Sequence, residues 1–210
     1  MRILFCNIAW MREYTGNEDG TDRPMNGGSY VDENGDAHEK YNFFPVKFEN
    51  EEDAYCLGFF ETKSHDGKNV NQMHIEKIIG CELCKNEESV DDVLVVYCAK
   101  HPAHKFTTVV GWYQHATVYR HYQEQEFGEG DFQYYNAIAK ASDCVLLPVS
   151  ARSKILEWQV PRKGNGWAFG FGRANVWYAS EHDERLDAYL EKITKKIEDY
   201  SGENWIKYGD

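Results

Sequence analysis

Two nearly unbroken apolar runs dominate the pattern of hydrophobic and polar positions. Val93-Leu94-Val95-Val96-Tyr97 is the first, Thr107 to Tyr113 (TTVVGWY) is the second, and the polar link His101-Pro102-Ala103-His104-Lys105 separates them. Their shortness, their β-branched and aromatic content and the Pro-containing break predict two neighbouring strands. Continuous apolarity, instead of strict alternation, predicts cover on both faces. The stretch Asp91 to Arg120 therefore reads as the central hairpin of a curved sheet, with Gly111 marking a close approach of another group.

The same patterning predicts strands at Arg2 to Ile8, Tyr41 to Phe44, Tyr55 to Phe60 and Cys144 to Leu147, the last stopped by Pro148. Val70 to Ile79 fits a strand or a short helix. Phe132, Tyr135, Ile138 and Ala139 share one helical face, so Asp131 to Ala141 reads as a helix capped by Asp131. A final helix is predicted over Glu181 to Tyr200, with Ser180 as cap and Leu186, Leu190, Ile193, Ile197 and Tyr200 as its apolar stripe. The long segment Glu13 to Lys40, rich in glycine, reads as loop; loops of that length in compact domains usually carry function. Within it, Asn26-Gly27-Gly28-Ser29-Tyr30 joins pliable backbone to an aromatic ring, which suits either a ligand loop or a turn entering a strand. These elements make the fold class α+β.

The chain has 210 residues and a net charge of -12, with 15% aromatic residues. That length accommodates one substantial core. The charge opposes broad attraction to nucleic acid, so any such role needs a local basic surface or a recessed pocket. Residues 151–173 offer one, holding Arg152, Lys154, Arg162, Lys163 and Arg173 against the single acid Glu157, interleaved with Trp158, Trp167, Phe169 and Phe171. Such a segment suits phosphate contacts and base stacking; it equally suits a solvated loop whose rings pack on the core. The first ten residues do not form a signal peptide, and no run reaches the length of a membrane span, so a cytoplasmic protein with reduced cysteines is the expectation.

Three further constellations bear on chemistry. Cys81-x-x-Cys84 and Cys98-x-x-His101, with 13 residues between the pairs, have zinc-ribbon spacing, whereas Cys98 also continues a strand that reads as buried core. Zinc is thus the candidate metal for this quartet, and otherwise no cofactor is expected. Glu61-Thr62-Lys63 after an apolar strand imitates half of a metal-dependent nuclease site, with Asp53 or Asp36 as the upstream acid. No nucleophile elbow, phosphate-binding loop or dinucleotide fingerprint is present.

The strand-turn-strand VLVVYCAKHPAHKFTTVVGWYQHA resembles the central hairpin of PUA-like domains of the EVE and YTH branches. ILFCNIAW, the glycine-rich loop ending at Gly28-Ser29-Tyr30, and ASDCVLLP follow in the same order. GWYQHATVYR and NVWYA are similar to segments of proteins related to the reader modules of modification-dependent restriction systems. The resemblance implies a curved, partly closed mixed β-sheet (a PUA-like barrel) flanked by helices over residues 1–178, with 179–210 a C-terminal helix packed on it. It also implies a non-catalytic module that accepts one modified base, flipped from its strand, in an aromatic pocket. Asn7 takes the place of the family's polar base contact and Tyr30 that of a cage tryptophan. Trp10, Trp112 and Trp177 are the candidates for the second ring, with Ser29 and Asn175 as further polar contacts. Its partner is modified DNA, RNA being the alternative, together with a nuclease domain or subunit. Extrusion costs a few kcal/mol and stacking returns about 1–3 kcal/mol per base, so the energies are compatible. The competing readings are a small metal-dependent nuclease using Glu61 and Lys63, and a zinc-stabilised interaction module.

Overall fold

The computed structural model describes residues 1–17, 20–62, 72–127, 132–164 and 166–207, the side chains of Ser29, Tyr30 and Asp32 excepted. Strands β1 (Ile3–Asn7), β2 (Pro45–Lys47), β3 (Ala54–Gly58), β4 (Ser89–Lys100), β5 (Thr107–Glu126), β6 (Phe132–Lys140), β7 (Cys144–Leu146), β8 (Gln159–Val160) and β9 (Val176–Trp177) form one mixed sheet. Its main path is β2-β3-β6-β5-β4-β1-β9. Only β1 and β4 run parallel; the other pairings are antiparallel. Helices α1 (Ser29–Asn34), α2 (Val149–Arg152), α3 (Ile155–Trp158) and α4 (Glu184–Glu198) surround it. None of the described helices is long and apolar enough to cross a membrane.

β4 and β5 are the rails on which the rest hangs. One edge of β5 pairs with β4, while its other edge takes β8, β7 and β6 in succession along its length. A bulge at Tyr97/Cys98 bends the hairpin. Alternation sends Val93, Val95, Tyr97 and Ala99 into one core and Leu94, Val96 and Cys98 into another, which is why the run reads as continuously apolar. β1 divides likewise, with Leu4 and Cys6 on one side and Ile3 and Phe5 on the other. Gly111 is required by packing: a Cβ there would lie 2.6 Å from Cζ of buried Phe43.

The second core is capped by α4, whose Leu186, Ile193 and Ile197 are buried and whose Leu190 and Tyr200 pack against it. The helix starts three residues later than the pattern indicates. Asp183, not Ser180, is its N-cap and accepts a 2.9 Å bond from the Arg185 amide.

Four predicted stretches differ. Residues 132–140 form a strand, not a helix; Asp131, the proposed cap, lies outside the described residues. Tyr41 to Phe44 is no strand but the end of a 3-10 turn, His38–Tyr41, followed by a bend that buries Phe43. The glycine-rich loop delivers the chain into α1, and residues 75–77 form a single 3-10 turn. The sheet is mostly open: β2 and β9 stand at opposite ends of its path.

Candidate functional site

At the C-terminal end of β1 the chain leaves the sheet through Asn7, Ile8 and Ala9. These three line a pocket of about 160 Å³ with Gly27, Val31, His38, Glu39, Phe59, Glu61 and Asn175. Five segments distant in sequence thus meet at one place. Gly27 permits the meeting, because a Cβ on it would lie 2.8 Å from that of Ala9. Phe59 supplies the apolar wall; its ring lies 5.2 Å from His38 and stacks at 5.1 Å on Tyr122. At about 30 Å³ per water the space equals some five waters, well below the range of drug-sized sites and suited to one small ring.

The polar atoms are arranged by chemistry that leaves little choice. Arg162 Nη2 donates to Asn7 Oδ1 at 2.9 Å. A guanidinium has only donors, so this bond fixes the Asn7 amide with oxygen toward Arg162 and leaves Nδ2 as a donor at the pocket. Asn175 Nδ2 donates to Glu61 Oε2 at 2.9 Å, and the Ala9 amide donates to Glu39 Oε1 at 2.7 Å. Each carboxylate keeps one oxygen outside these bonds. Burial pushes the Glu39 carboxyl above its usual range, opposed by the Ala9 amide and His38 and reinforced by the neighbouring Glu61. The pocket therefore offers one amide donor beside two acceptors, over an aromatic wall.

The other predicted ligand residues disperse. Trp10 is buried, its ring 4.8 Å from His101 and beneath the Arg152 guanidinium. Trp112 stacks at 5.6 Å on Trp158 in the second core. Trp177 packs at 4.6 Å on Phe5 and donates its indole N–H to Glu181. All three are core residues and none lines the pocket. The side chains of Ser29 and Tyr30 lie outside the described residues; their helix α1 contributes Val31 to the wall. Asn7 and Asn175 are brought together as expected. His38, Glu39 and Phe59 escaped sequence reasoning, since nothing in H-E-K or in a strand-ending Phe distinguishes a pocket wall from surface.

The basic segment also disperses. Arg152 is fully buried, not at the surface, and donates to the carbonyls of Leu147, Met11 and Arg12 at 2.6–2.7 Å. Burial lowers its pKa to about 10, which keeps it cationic at neutral pH. Arg162 is held by Asn7, by Thr107 Oγ1 at 2.8 Å and against the Phe171 ring. Lys163 pairs with Glu181 at 2.8 Å and Lys154 loosely with Glu157 at 3.9 Å, while Arg173 is exposed. A wider groove between α3 and α4, about 870 Å³, is lined by four lysines against four acids, which leaves it no anion preference.

Among the described residues, two alternative constellations do not assemble. Cys81 belongs to the first core and Cys98 to the second, on the opposite face of the sheet, while His101 Nε2 bonds Ser153 Oγ at 3.0 Å. No group of three or more metal-ligating side chains converges among the described residues. Asp53 pairs with Lys140 at 2.5 Å and Asp36 with Lys40 at 3.0 Å, so neither joins Glu61; Lys63 lies outside the described residues. Comparison with protein-family models, curated proteins and solved structures finds no match to this chain.

Proposed function

We propose that this chain is a non-catalytic binding module of PUA-like type that takes one modified base, flipped from a nucleic-acid strand, into the pocket at the end of β1. The observation that carries the reading is the locked Asn7 amide, a donor held beside the carboxylates of Glu39 and Glu61 above Phe59. A base presents acceptors and N–H donors side by side on one edge, and this wall is complementary to such an edge. Phe59 and His38 supply the apolar and aromatic surface, a role that the resemblance gives to tryptophans. The pocket's size favours one ring over a larger ligand. The partner in this reading is modified DNA, with RNA the alternative.

The test is a pair of substitutions at Asn7, read as the ratio of affinities for methylated and unmethylated single strands. Asn7→Ala removes the donor and releases Arg162. Asn7→Asp keeps an acceptor for Arg162 and replaces the donor by a second, anionic acceptor. Both are expected to lower the affinity for the preferred strand by about tenfold or more, the loss of one base-edge contact of about 1–3 kcal/mol. An Asn7→Asp variant with wild-type affinity and ratio contradicts the assignment.

A further inference from the structure

Residues 93–123 contain no Asp or Glu, in a chain that carries 35 of them. At the middle of this stretch lies the turn between β4 and β5, where Lys100, His104 and Lys105 are exposed. Among the described residues neither Lys100 nor Lys105 forms an ion pair, unlike Lys154 and Lys163 of the basic segment. The turn is also rigidly built. His101 stacks on Phe106 at 5.4 Å, lies 4.8 Å from Trp10, bonds Ser153 and accepts the Ala103 amide at 3.1 Å. His104 lies over Phe106 at 5.7 Å, nearly parallel to it.

This tip adjoins the pocket through the backbone. Ile8, a pocket residue, donates its amide to the Cys98 carbonyl at 2.8 Å, two residues before Lys100. Asn26, next to the pocket's Gly27, donates its side-chain amide to the Lys100 carbonyl at 3.2 Å. On the same side Arg162 reaches Thr107, the first residue of β5. Two exposed lysines without an ion pair among the described residues thus flank a well-packed turn beside a pocket whose own wall is acidic.

We infer that the β4–β5 turn, through Lys100 and Lys105 with His104 beside them, is the surface on which the phosphates of a bound strand lie while one of its bases occupies the pocket. The inference rests on the base-pocket reading and adds where the backbone runs. It assigns to this turn the role that composition suggests for residues 151–173, whose cations other than the exposed Arg173 are buried or paired. Lysine ammoniums on a preformed turn neutralise phosphates as point charges, without regard to sequence, and release condensed counterions as they do so.

The test measures affinity across a salt series for a short single-stranded DNA with and without a methylated base, and for the corresponding free nucleosides. The Lys100→Ala/Lys105→Ala variant is expected to flatten the log-log salt slope by about 1.4, two phosphates at about 0.7 each. It should weaken both strands alike and leave nucleoside affinity unchanged. Lys163→Ala, which loses only its pairing with Glu181, should keep the wild-type slope. An unchanged slope in the double variant, with nucleosides still bound, overturns the inference and leaves the pocket reading standing. Failure of wild type to bind either nucleosides or strands overturns both.

Discussion

Arg152 shows how one residue type can carry opposite meanings. In the sequence it opens a run of cations that suits phosphate binding; in the fold it is a buried clasp. Three carbonyls receive its donors, and the rings of Trp10, Tyr14 and Trp205 lie 5.4–6.0 Å from its guanidinium carbon. Nothing local signals this, because the accepting carbonyls of Met11 and Arg12 are about 140 positions away. Removal should be costly, since bonds from a charged donor contribute about 1.5–3 kcal/mol each and the orphaned carbonyls stay buried. Arg152→Ala is expected to lose about 3 kcal/mol or more in urea unfolding. Arg152→Lys should recover only part, because an ammonium cannot reproduce the planar fork. Wild-type stability with weakened strand binding would return Arg152 to the phosphate surface. Asn7 is the converse case. The resemblance to PUA-like domains makes it a candidate base contact at the end of the first strand, but only the structure shows that Arg162 sets its orientation.

At the scale of elements, the central hairpin, β1, β3, β7 and α4 are legible because each carries an apolar pattern longer than its surroundings. β6 is not. Its aromatic and alanine positions fit a helical face, yet Gln133, Ala137 and Ala139 are also the buried residues of a strand. Tertiary pairing decides between the two periods: β6 fits between β3 and β5, Gln133 Nε2 donates to the Leu57 carbonyl at 2.9 Å, and Asn136 bonds both backbone groups of Phe60. A second element-scale device is the clip that ties β5 to the turns before β4. Arg120 reaches Glu76 at 2.8 Å and also the carbonyls of Cys84, Lys85 and Glu87. Burial pushes the Glu76 carboxyl up, but its own amide, Arg120 and His74 outweigh this and bring it to about 2. A carboxyl lowered on folding stabilises above its ordinary pKa, and that contribution fades as pH falls through the folded value. The stability advantage of wild type over Glu76→Gln should therefore be full near neutral pH and shrink between about pH 5 and pH 2. A difference in urea midpoint that does not vary with pH would contradict it.

For the whole molecule, charge and packing are segregated in a way that the totals conceal. A net charge of -12 describes an acidic protein, yet residues 93–123 of its two central strands form an acid-free band that separates the cores and surfaces as a basic turn beside the pocket. α+β class and a mixed sheet follow from patterning; the pocket does not, because its walls come from residues 7–9, 27, 31, 38, 39, 59, 61 and 175, which only the folded chain assembles. The central claim is that this pocket holds a base. Its most direct test is a titration of isotopically labelled protein with methylated nucleosides, following the side-chain amide resonances of Asn7 and Asn175. Both are predicted to shift together and saturate at one common dissociation constant, with the Asn175 shift abolished by Glu39→Gln combined with Asn7→Asp. Unmoved amides under nucleoside excess, or shifts confined to the groove between α3 and α4, would contradict the account.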